Sequence, residues 1–67
     1  MMYALRRGQR VRITPQNRMP RYKTGDEGMI AEGPHALGER DGYYLVVMDK
    51  DDPPRLVIFT EDEIAPD

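Results

Sequence analysis

The sequence predicts an all-β fold: a small, strongly bent antiparallel barrel of five short strands, forming one domain over residues 1–67 with its core in 8–66. Three observations predict it. Short runs alternate apolar and polar residues or are rich in β-branched and aromatic ones. Gly and Pro punctuate the chain about every ten residues. No stretch carries the apolar period of a long helix.

Residues 1–7 read as an entry segment, and Gly8-Gln9 as a turn before the first strand, Arg10–Thr14. In that strand Val11 and Ile13 share one face, while Arg10, Arg12 and Thr14 share the other. Pro15 ends it. Residues 15–24 form a long loop with two prolines and no apolar period, and such loops in small domains are often the functional ones.

Gly25-Asp-Glu-Gly28 reads as a tight turn, because glycine takes positive φ without steric cost. A second strand follows over 28–32 with Ile30 inward, closed by Gly33-Pro34. Residues 33–42 hold three glycines, mixed charge and His35, and read as a hairpin loop. Tyr43–Met48 is the third strand, with Tyr44, Val46 and Met48 inward and Tyr43, Leu45 and Val47 on the opposite face; the reverse register is the alternative. Asp49–Pro54 is a polar turn that sends Leu56–Thr60 back against the third strand. Thr60-Glu-Asp-Glu63 has the capping-box spacing, which predicts a 3₁₀ turn before a short fifth strand at Ile64-Ala65.

With 67 residues and no cysteine, the chain relies on a small packed core, without disulfides, thiolate metal sites or thiol nucleophiles. No run approaches the roughly 18 apolar residues of a membrane span, and no charged-then-apolar leader opens the chain, so a cytoplasmic location without membrane partners is expected.

The net charge of −2 conceals a segregation. Seven arginines and lysines and no acid lie before Asp26, while twelve acids face three basic residues from Asp26 onward. Two readings follow. The basic half can serve an anionic partner, or the first and last strands can pair so that Arg10 and Arg12 face Glu61, Asp62 and Glu63.

Arg18, Arg21, Tyr22 and Lys23 are the leading partner-binding candidates, because guanidinium groups take carboxylate or phosphate in two-pronged contacts and tyrosine offers a stacking face. Arg12 and Tyr43 extend the candidate surface along the strands. The structural alternative is a solvated loop with Tyr22 packed over the barrel edge. His35 lacks the further ligands that a metal site requires and reads as a surface loop residue. Asp49, Asp51 and Asp52 faintly match a calcium loop, but prolines occupy the later positions, so a solvated turn is expected. No nucleophile, base and orienting group assemble, so the chain is expected to be neither an enzyme nor the holder of a metal or cofactor.

Gly8-x-x-Val-Arg-Ile13, Pro20-Arg-Tyr-Lys-Thr-Gly25-x-x-Gly28-x-Ile30, Tyr44-Leu-Val-Val-Met48 and Asp62-Glu-Ile64 together resemble SH3-like barrels of the electron-transport accessory type. That group includes a photosystem I peripheral subunit, the variable chain of ferredoxin–thioredoxin reductase and, most similar here, the C-terminal domain of the nitrile hydratase β subunit. The resemblance covers residues 8–66 and implies a five-stranded SH3-like barrel serving as an accessory to an enzyme or electron-transfer complex. Arginines of the nitrile hydratase subunit contact modified cysteines of a metal centre held by its partner. Arg21 matches one of them, and Thr24 stands where the family usually has another. The helical N-terminal part of that subunit has no counterpart here, and its loop after the second strand is longer. A weaker resemblance, confined to the first hairpin, is to KOW-type modules, which bind RNA or protein.

The function expected is therefore a non-catalytic module that docks on a protein partner through residues 18–24 and the adjoining strand face. The alternative is a KOW-like nucleic-acid binder using the basic residues between 10 and 23.

Overall fold

The computed structural model describes residues 5–37 and 40–67, and the first half of the entry segment lies outside them. Among the described residues five strands form: β1 (Arg10–Ile13), β2 (Glu27–Leu37), β3 (Arg40–Met48), β4 (Leu56–Thr60) and β5 (Ile64–Pro66), with a 3₁₀ turn at Glu61–Glu63. They make one antiparallel sheet in the order β4-β3-β2-β1-β5, which leaves β4 and β5 at its edges. Only the three residues of the 3₁₀ turn separate those edge strands in the chain. Five strands laid flat would hold them roughly 19 Å apart, beyond the reach of so short a link. The sheet therefore curls around its apolar face.

Period-2 alternation decides that face. Val11 and Ile13 of β1, Ile30 of β2, Tyr44, Val46 and Met48 of β3, Val57 and Phe59 of β4 and Ile64 of β5 are all buried. The register anticipated for β3 holds. Leu5 from the entry segment and Tyr22 from the loop complete the core. Glu63 reaches back to the Thr60 N–H at 2.9 Å, so the capping-box spacing forms the expected 3₁₀ turn.

Four expectations need correction. The second strand does not close at Gly33-Pro34; β2 runs on to Leu37 and pairs with an equally extended β3, His35 facing Tyr43 and Leu37 facing Arg40. The register shifts at three places along this hairpin, which accommodates a proline and glycines that read as loop residues. Gly42 is a close approach rather than a turn, since a Cβ there would lie 2.7 Å from the His35 carbonyl oxygen. His35 consequently sits on a strand, its ring 5.2 Å from that of Tyr43 and its Nε2 3.4 Å from Glu32.

The turn also lies earlier than Gly25–Gly28. Asp26 N–H bonds to the Lys23 carbonyl at 2.9 Å, with Gly25 at φ 95°, so residues 23–26 make the reversal. Gly28 is already in β2, where the β3 backbone leaves no room for a side chain. The first strand stops at Ile13, because Thr14 turns its N–H to the Glu63 carbonyl at 2.9 Å.

The first and last strands do pair, Arg12 opposite Ala65 and Ile13 opposite Ile64. Their arginines nevertheless take other partners. Arg10 holds Asp49, with Glu27 at 3.3 Å, and Arg12 donates to the Pro66 carbonyl. Glu63 turns inward instead, where it caps backbone N–H groups.

Candidate protein-docking site

The loop from Thr14 to Asp26 is fastened rather than loose. Gly25 N–H donates to the Ile13 carbonyl at 2.9 Å, and Ile13 N–H to the Asp26 carbonyl at 2.8 Å, which closes its base. Inside it the Asn17 amide donates to the Met19 and Tyr22 carbonyls at 2.9 and 3.0 Å, and its oxygen accepts the Met19 N–H at 3.0 Å. Asparagine suits this position because its short amide can stand in for backbone partners in a turn. From outside, Glu63 accepts the Arg18 N–H at 2.8 Å, and Lys50 reaches the Arg21 carbonyl and the Asp26 carboxylate, each at 3.3 Å.

The deepest anchor is Tyr22. Its ring is buried edge-on to Phe59 at 5.7 Å, and its hydroxyl donates to Asp51 at 2.5 Å. The ring therefore offers no open stacking face, and its role is the packing alternative. Asp51 is the corresponding correction in the Asp49–Pro54 turn. Its side chain is buried rather than solvated, and it accepts Arg21 Nη2 at 3.1 Å with Arg55 Nε at 3.9 Å. The Tyr22 hydrogen bond, then the hydrogen bond and charge of Arg21, hold the Asp51 carboxyl below the usual carboxylate range. It stays ionised and acts as a counterion, not as a proton donor.

Arg21 leaves the loop outward, its side chain 54% exposed, and its guanidinium lies 5.9 Å from the centre of the Tyr22 ring. Arg55 is equally open at 53%. These two cations stand over one carboxylate, so the spot keeps a positive excess. Between them and β4 runs an open groove of about 380 Å³, floored by Tyr22 and Val57 and walled by Met19, Leu56 and Ile58.

Leu56 and Ile58 point away from the core, at 54% and 53% exposure. Across the sheet Leu56 faces Val47, which faces Met29, itself 43% exposed, and Ile58 faces Leu45. The outward row expected on β3 thus becomes a three-strand apolar patch continuous with the groove. Burying the remaining exposed half of either β4 side chain would contribute about 1 kcal/mol to an interface.

Of the sequence-derived candidates, Arg21 lines this groove and Tyr22 floors it. Arg18 and Lys23 are exposed on the same loop, and among the described residues their side chains have no hydrogen-bonded or ion-paired partner. Arg12 lies outside the groove, on β1 against β5, and Tyr43 lies on β3 opposite Thr60, at the other end of the β3–β4 ladder from Leu56. Sequence reasoning missed Arg55, Asp51, Leu56 and Ile58. The signal for the last two was present: Leu56–Phe59 is apolar on both faces, more than one core can absorb.

Among the described residues no group of three or more His, Cys, Asp or Glu side chains converges on a cation site, and no helix is long and apolar enough to cross a membrane. Comparison with known proteins gives no match to a family model, a curated protein or a solved structure.

Proposed function

We propose that the chain is a non-catalytic SH3-like interaction module that docks on a protein partner as an accessory to an enzyme or electron-transfer complex. The observation that carries this reading is the groove beside β4, where half-exposed Arg21 and Arg55 adjoin exposed Leu56 and Ile58. A mixed cationic and apolar surface of this kind suits a protein interface, where arginine is enriched and the buried centre is more apolar than the rest of the surface. The strand order, with β1 between β2 and β5 and a 3₁₀ turn before β5, supports the SH3-like reading, as does the curl imposed by the short β4–β5 link.

Nucleic-acid binding would need free basic charge along the first half of the chain. Arg10 is held by Asp49 and Glu27, and Arg21 by Asp51, so two of those seven charges are balanced internally.

The test is affinity capture at graded salt with the wild-type chain, with Arg18, Arg21 and Lys23 changed together to Ala, and with Leu56→Ser/Ile58→Ser. Loss of the same captured protein in both variants, with shallow salt dependence, is the expected result. A captured nucleic acid, lost log-linearly with salt, overturns the reading. So does a partner indifferent to both sets of changes.

A further inference from the structure

Among the described residues, the β4 strand is an edge whose outward backbone groups have no partner in the sheet. In an antiparallel ladder successive residues turn their N–H and C=O to opposite sides. Asp49 N–H donates to the Glu27 carbonyl at 3.0 Å, so odd-numbered residues of β3 face β2 and even-numbered ones face β4. Tyr44 and Val46 pair with Phe59 and Val57, which therefore face β3. Leu56, Ile58 and Thr60 face the other way. Glu63 takes the Thr60 N–H at 2.9 Å, which leaves the N–H and C=O of Leu56 and Ile58 aimed off the sheet. Edge strands are ordinarily blunted by Lys, Pro or a bulge, and Leu56–Thr60 has none of these.

From this edge and the groove beside it, we infer that β4 receives an extended segment of a protein partner as a sixth strand, and that the segment alternates apolar with acidic residues. The inference rests on the docking reading above and specifies the partner's chemistry. An added strand turns alternate side chains to opposite faces. On the outer face they meet Leu56 and Ile58, which favours apolar residues. On the opposite face, toward the loop, they meet Arg21 and Arg55, which flank the carboxylate of Asp51 and favour a further carboxylate. A second copy of the chain would bring carboxylates only from Glu61 and Asp62, beyond its own β4, rather than alternating along the added strand.

The probe is a fluorescein-labelled synthetic peptide, Glu-Val-Glu-Val-Glu-Val-Glu, titrated by anisotropy against the wild-type chain, with amide shifts of the protein recorded in parallel. Two further peptides carry backbone N-methyl groups, one on the Val residues and the other on the internal Glu residues. Binding with shifts at the Leu56 and Ile58 amides is expected, and one methylated series should bind at least about tenfold more weakly while the other retains affinity, since only alternate residues face β4. Replacing Glu by Gln in the peptide should weaken binding by a similar factor without altering the protein.

No binding of the parent peptide at about 1 mM overturns the inference. Equal binding by both methylated peptides overturns strand addition but leaves the docking module intact, as does a partner captured in the preceding test while the peptide stays unbound. A doubling of mass with concentration that Ile58→Lys abolishes would assign the edge to a second copy and overturn it as well.

Discussion

Tyr22 and Asp51, 29 residues apart in the chain, meet through a 2.5 Å hydrogen bond from phenol to carboxylate at the base of the candidate groove. That bond ties the long loop to the turn after β3, and the same carboxylate holds Arg21 in place above it. Position of the guanidinium and stability of the loop are therefore coupled.

Tyr22→Phe should lower stability by about 1.5–3 kcal/mol, the usual range for a lost hydrogen bond to a charged acceptor, and weaken partner binding through a displaced Arg21. Asp51→Ala should cost more, since it strands the Tyr22 hydroxyl in the core, while Asp52→Ala should leave the melting temperature nearly unchanged. Thermal melts of the three variants, read by circular dichroism, give the order.

Gly28→Ala should prevent folding. A Cβ at this position would lie 2.7 Å from the Val47 carbonyl oxygen and 3.1 Å from the Met48 Cα, and neither can retreat without breaking the β2–β3 ladder. Gly25→Asn is the contrast: the site is open, and Asn tolerates positive φ, so a cost of about 1 kcal/mol is expected. Soluble yield and amide dispersion distinguish the two outcomes.

Acid should destabilise the fold through three carboxylates. Asp26 is depressed by the Lys23 N–H and then Lys50, Asp49 by Arg10, and Asp51 by Tyr22 and then Arg21. Folded values below the unfolded value of about 3.9 mean a contribution fully present above that pH and lost as pH falls through the folded values. Urea midpoints should therefore be level between about pH 7 and 5 and fall steeply below about pH 4. Level midpoints down to about pH 2 would contradict the pairing.

Alkali acts through Tyr44, whose phenol is raised by burial and then by the charge of Glu61. Its contribution is present below the ordinary value of about 10 and is lost as pH rises through the folded value. Absorbance titration should show Tyr44→Phe removing a phenol that ionises above the ordinary value, and the wild type should lose stability above about pH 10 while that variant loses less.

The five strands were legible because period-2 patterning and the capping box are local. Val11 and Ile13, Tyr44 to Met48 and Thr60 to Glu63 needed no knowledge of the rest of the chain. The long β2–β3 hairpin was not legible, since Gly33, Pro34 and Gly42 carry the same local signal in a bulged ladder as in a loop. Arg21 was visible as a candidate, but Asp51 was not. Three aspartates lie close together in one turn, and only the folded path of the loop selects the one that meets Tyr22. Arg10 likewise passed over the acids at 61–63 for Asp49, because pairing across β2 set the choice rather than proximity to β5.

The position of β1 between β2 and β5 has a consequence for synthesis. Residues near the start of the domain cannot complete their pairing until residues 64–66 have left the ribosome, so Val11 and Ile13 remain only half-sheltered on the nascent chain. A stalled or clipped product ending before Ile64 would present a raw, greasy margin at β1, which marks it for chaperones and proteases rather than for a partner.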